Sequence, residues 1–118
     1  MKLREVVAKL GLEVAVAADT LDREISGGYA SDLLSCVMAR ARAGNVWVTL
    51  QSHPNIVAVA SLLGLAGIIV TEGACLDPAT IEKANEEKIP ILTTSLTTFT
   101  VVSRLAALGI QGAERESN

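Results

Sequence analysis

The sequence predicts an α/β fold of three layers, helix on sheet on helix, around a mostly parallel sheet. Two observations carry this. Short apolar runs alternate with stripes at helical spacing, the rhythm of strand, crossover and strand, whose connections are right-handed. The apolar half of the 118 residues is Ala, Val, Leu and Ile, with one Phe, one Tyr and one Trp. Such residues suit strands buried on both faces between helices. A third observation concerns function: a polar loop follows each of three apolar runs and opens a helix, and in open parallel sheets ligands settle beyond the carboxyl ends of the strands.

Leu3, Val6, Val7 and Leu10 recur at helical spacing, and Gly11 ends that first helix as a C-cap. Residues 13–17 alternate with period two and read as a strand. Residues 19–24 are polar turn formers. Residues 25–30 form a second extended piece, in which Gly27-Gly28 admits another backbone closely. Ser31-Asp32 opens a helix expected to run to Ala43, with Leu33, Leu34, Val37, Met38 and Ala41 as its apolar stripe and Cys36 as a small core residue. Strands are then expected at 46–50, 67–70 and 89–92. Pro54 and Pro78 fall in the first turns of the next two helices, where a missing N–H costs little, and Asp77 is placed as an N-cap. The helix at 78–88 should turn Ile81 and Ala84 inward. The last helix begins near Thr97 or Thr98 and carries Phe99, Val102, Leu105 and Leu108 as its stripe. Residues 1–110 are expected to be a single domain and 111–118 a flexible polar tail.

The net charge of −3 and the scarcity of aromatic residues argue against a nucleic-acid partner. No window approaches the roughly 20 apolar residues that span a bilayer. The N-terminus lacks the apolar core of a signal segment, and Cys36 and Cys75 lie in dissimilar contexts. Together these lead to the expectation of a membrane-free, cytoplasmic protein.

Catalytic motifs are missing from the chain. There is neither a G-x-x-x-x-G-K-[ST] nor a G-x-G-x-x-G to cradle phosphates. The sole histidine, His53, has no carboxylate close in sequence to orient it as a base, and one His with scattered Cys does not make a metal site. No cofactor, metal or catalytic residue is therefore expected. The loops offer hydroxyls, backbone N–H groups and helix starts, a lining suited to a phosphate or carboxylate. The candidate ligand residues are Ser52, His53 and Asn55 in the first loop, Thr71, Glu72 and Gly73 in the second, and Thr94, Ser95, Thr97 and Thr98 in the third. The plain alternative is that these Ser and Thr residues only cap helices and satisfy turns.

One succession of stretches covers most of the chain: residues 22–34, beginning Asp22-Arg23-Glu24-Ile25-Ser26-Gly27-Gly28; residues 46–60; Ile69-Val70-Thr71-Glu72-Gly73 through Pro78; and Ile89-Pro90-Ile91-Leu92-Thr93-Thr94 with Thr98-Phe99. It resembles the DRTGG domain family. Ser52-His53 stands where the family's Asp-Arg is frequent, Thr71-Glu72-Gly73 where its Thr-Gly-Gly is, and Thr97 where an Asp is. The resemblance implies a fold like the N-terminal domain of HPr kinase/phosphorylase. It also implies a domain of the kind that accompanies phosphotransacetylase, or sits between CBS domains in regulated pyrophosphatases and helps form a dimer. Small free-standing members occur near iron-only hydrogenase genes. None of these settings assigns the domain any chemistry, so the expectation is not an enzyme but a regulatory module. It would dimerise and sense a small anionic ligand, a nucleotide or phosphorylated metabolite, at the C-terminal edge of its sheet. The alternatives are a structural adaptor for a metabolic or hydrogenase-associated partner, and an enzyme of unrecognised type using His53, Glu72 or Cys75.

Overall fold

In the computed structural model, which describes residues 1–112, five helices and five strands alternate much as the apolar pattern requires. Their order is α1 (Leu3–Leu10), β1 (Glu13–Val16), β2 (Gly27–Ala30), α2 (Leu34–Arg40), β3 (Asn45–Thr49), α3 (Asn55–Leu63), β4 (Gly67–Val70), α4 (Pro78–Glu87), β5 (Ile91–Thr93) and α5 (Thr98–Ala107). The strands form one sheet in the order β1-β5-β4-β3-β2. Strands β2 to β5 are parallel, while β1 joins β5 antiparallel through Glu13 opposite Thr93 and Val14 opposite Leu92. All five residues of β3 and all four of β4 are buried, as expected of central strands covered on both sides.

Alternate side chains of each strand feed two apolar cores. Trp47, Ile68, Val70 and Ile91 pack with Val37, Ile56, Val57, Ala60 and Ala84 of α2, α3 and α4. Val46, Val48, Ile69 and Leu92 pack with Leu3, Val6 and Leu10 of α1 and Val101 and Leu105 of α5. Gly67 is required by this second core, because a Cβ there would lie 2.9 Å from Leu3 Cδ2 and 3.3 Å from the Pro90 carbonyl oxygen. The start of the chain is tied down as well. Leu3 and Arg4 donate backbone N–H to the carbonyls of Arg23 and Leu21. Arg4 Nε meets Asp22 Oδ1 at 2.6 Å, a contact that holds the Asp22 carboxyl below the usual carboxylate range and raises the Arg4 guanidinium.

Several local expectations are corrected. Helix α2 begins at Leu34 and ends at Arg40, short of 31–43 at both ends. Asp32 and Ser31 spend their oxygens outside it, on Thr49, Leu50 and Leu33, and Ala41 turns to extended backbone (φ −67°, ψ 148°). Val37 and Ala41 are buried, but Leu33 and Met38 are exposed and Cys36 is only half-buried. In α4 the inward residues are Thr80 and Ala84, and Ile81 is exposed. The Thr80 hydroxyl donates to the Ser52 carbonyl at 2.7 Å, and that bond sets the rotation of the helix. In α5 the buried residues are Val101 and Leu105, while Phe99 is 85% exposed and Val102 40%. The stripe is displaced because Thr98, the first residue of the helix, is held against the sheet through its hydroxyl and its N–H.

At the other edge, Gly28 of β2 donates its N–H to the Gln111 carbonyl and bridges Gly112, so the first two residues of the expected tail lie along the sheet. The rest of that tail, 113–118, lies outside the described residues. Among the described residues, no helix is long and apolar enough to cross a membrane.

Candidate functional site

Because β2 to β5 are parallel, the loops leaving them share one edge of the sheet. There are four, at 31–33, 50–54, 71–77 and 94–97, one more than the sequence reading singled out. Helices α2, α3 and α4 return over one face and α5 over the other. The chain therefore parts to opposite faces between the ends of β4 and β5, the arrangement that opens a crevice in α/β sheets.

Here the crevice is partly closed by backbone. Glu72 donates its N–H to the Leu96 carbonyl at 2.9 Å, and Gly73 to the Thr94 carbonyl at 3.1 Å. To do so both residues take left-handed backbone, φ 62° at Glu72 and 68° at Gly73. The Glu72 carboxylate accepts the Thr98 N–H at 2.8 Å and so serves as an anion at the start of α5. Below it, the buried Thr71 hydroxyl lies 2.6 Å from the Thr98 hydroxyl and 3.4 Å from the Thr49 carbonyl. Thr97 is the N-cap proper, accepting from the Thr100 N–H. Thr94 Oγ1 accepts the Leu96 N–H. Thr71, Glu72, Thr94, Thr97 and Thr98 thus form one self-satisfied seam.

A second cluster joins the β3 and β4 loops. His53 Nδ1 lies 2.9 Å from Asp77 Oδ2, both side chains well exposed, and Asp77 and Thr80 donate N–H and O–H to the Ser52 carbonyl. The carboxylate that no sequence neighbour supplied to His53 comes from the next loop. Asp77 does stand at the N-cap position of α4, yet its side chain makes no cap bond. Pro54 is the N-cap of α3, one position before the first turn where it was expected, and Asn55 is the exposed first residue of the helix. Asp32, Thr80 and the Asp77 carboxylate lie outside the ten candidate residues. Asp32 Oδ1 accepts both Thr49 Oγ1 and the Leu50 N–H at 2.8 Å, and its carbonyl accepts Gln51 Nε2, which together fix the start of the β3 loop. The available signal was its position, directly after β2 at the same edge.

Beside the seam opens a cavity of about 540 Å3. Its walls are the 73–76 loop, Thr93, Thr94 and Ser95 at the end of β5, Ile81 of α4, and Gly11 and Glu13 at the start of β1. A cavity of this size is typical for a small-molecule site. Of the ten candidate residues it takes in Gly73, Thr94 and Ser95. The other seven fall in the seam, in the His53 cluster or at the start of α3, so the three loops adjoin one another in pairs and do not line one common pocket. Ser95 is exposed, and Gly73 has nothing within 4 Å of where a Cβ would stand. Among the described residues, no three His, Cys, Asp or Glu side chains are grouped as a metal site would need.

Fold and site together describe a three-layer α/β domain with a cavity at the C-terminal edge of its parallel strands. The model of the DRTGG domain matches residues 5–108, and the chain belongs to that family. No curated protein matches the chain. Among solved structures it is similar to the CBS and DRTGG domains of the regulatory region of Clostridium perfringens pyrophosphatase, complexed with the activator diadenosine tetraphosphate. The similarity has a TM-score of 0.71 at 20% identity and covers 92% of this chain and 47% of that one, so this chain spans about half the length of the solved region.

Proposed function

We propose that this protein is a regulatory module, not a catalyst, that dimerises and binds a small anionic ligand of nucleotide or phosphorylated type at the C-terminal edge of its sheet. The observation that carries the reading is the cavity at the parting of α4 and α5, open beside a seam whose own polar groups are already paired. Support comes from the family, and from the solved regulatory region of similar fold that is complexed with a dinucleotide activator. In this chain the cavity, not the seam, is the place for such a ligand. Thr71 and Thr98 satisfy each other, and Glu72 already places a carboxylate at the start of α5. Ser95, the loop backbone at 74–76 and Thr93 remain as its polar wall. Glu13 stands at its rim, so selectivity would favour a ligand with a neutral, hydrogen-bonding portion near β1.

Titration calorimetry with nucleotides, dinucleoside polyphosphates and phosphorylated metabolites tests the reading. The expected result is at least one ligand binding more tightly than ~1 mM, about −4 kcal/mol, and weakened by Ser95→Val. A panel with no binder at that level would leave the structural adaptor as the better account. ATP or metabolite turnover lost on His53→Ala would favour the enzyme reading instead.

A further inference from the structure

We propose that the face made by α5 and β2 is a self-complementary seat for a second copy of this chain, in which Phe99 of each copy enters an apolar groove of the other. The inference rests on the dimer reading above and names its surface.

The chain's one phenylalanine sits on the second residue of α5 with 85% of its surface exposed. Phe99, Val102 and Ala106 follow at i, i+3 and i+7, one stripe of the helix. Val102 and Ala106 line a groove of about 370 Å3 between α5 and β2, closed at its far end by Ile110. Tyr29 and Ala30 form the opposite wall, and Gly28 leaves part of the floor without a side chain. A projecting ring and a hole of matching chemistry therefore lie one helical turn apart on a single face. A two-fold axis crossing α5 between them places each ring in the partner's hole, the isologous arrangement expected of a homodimer.

The apolar lining of the groove agrees with this occupant. Among the described residues, none that lines the groove is charged, and Arg104 is the only charged residue of α5. Charged residues are depleted at the cores of such interfaces. Counting ring and wall in both copies, two seated rings remove on the order of 700 Å2 from water. That is roughly half of the ~1,200–1,600 Å2 that a stable interface buries. The remainder would come from surface outside the groove.

Light scattering on the full chain at about 100 µM, with sedimentation to obtain the dimer constant, tests both levels. The expected result is a wild-type dimer whose dissociation constant rises at least ~100-fold in Phe99→Ser, as for an aromatic anchor truncated in a desolvated pocket. Leu62→Ser, which alters another exposed apolar residue, on α3, should leave the constant unchanged. Phe99 is exposed, so the melting temperature of monomeric Phe99→Ser should match that of wild type diluted to monomer. A wild-type monomer would refute the dimer reading and this proposal with it. A wild-type dimer that ignores Phe99→Ser would keep the dimer and overturn the seat.

Discussion

Glu72 stands in left-handed backbone where glycine is the natural residue, and its carboxylate caps α5 from another loop. These two facts act on stability with opposite signs and can be separated by substitution. A non-glycine residue in the left-handed region costs roughly 1–2 kcal/mol. A cap bond at a helix start contributes roughly 0.5–2 kcal/mol. Glu72→Ala keeps the strained backbone and loses the cap, so it should be less stable by about 1 kcal/mol. Glu72→Gly loses the same cap and is relieved of the strain, and should fall within about 0.5 kcal/mol of wild type. Glu72→Gln keeps an acceptor and loses the charge facing the helix dipole, a cost of about 0.3–1 kcal/mol. Urea unfolding followed by circular dichroism, at constant slope with denaturant, would measure the series. The reasoning is refuted if the glycine variant is less stable than the alanine one. It is also refuted if alanine leaves stability unchanged, since the bond from Thr98 would then contribute nothing.

Three further outcomes follow from the packing. Val48 is buried in β3, and Val48→Asp places an unpaired carboxylate there at a cost of several kcal/mol, comparable with the whole stability of a domain this size; the variant should be unfolded at 25 °C by circular dichroism, and a melt within a few degrees of wild type would contradict the sheet order. Asp32→Ala removes acceptors from Thr49 and Leu50, so it should lower stability by about 1–2 kcal/mol and speed amide exchange at Leu50 and Gln51; unchanged exchange would contradict its role in fixing that loop. The Asp22 carboxyl is held low first by the hydrogen bond from Arg4 and then by its charge, so the stability it contributes is present above the ordinary carboxylate range and lost as pH falls through the depressed value; a carbon-detected titration of Asp22 should show the low value in wild type and return it toward normal in Arg4→Gln.

Much of the fold was legible because it rests on local signals. The apolar runs of β3 and β4, the cap glycine after α1 and Pro78 at the start of α4 each report their own element. The errors arose where a distant bond overrode a local pattern. Thr80 is buried in place of Ile81 because its hydroxyl finds an acceptor in the Ser52 carbonyl of the neighbouring loop. Val101 is buried in place of Phe99 because Thr98 is bound to Thr71 and Glu72. The same holds for the site. Sequence position placed the candidate loops at one edge, as parallel strands require, but could not show which hydroxyls would satisfy one another. His53 paired with Asp77, 24 residues away, and the cavity formed beside Glu13 and Cys75, which no motif brought together.

Amide chemical-shift mapping during titration with dinucleoside polyphosphates and simpler nucleotides tests the central claim most directly, because it reads both binding and place. The account predicts saturable shifts concentrated at residues 73–76 and 93–95, with those of the Phe99 groove unaffected at constant dimer fraction. Saturable shifts centred on His53 and Asp77, or no saturable shift up to millimolar ligand, would contradict it.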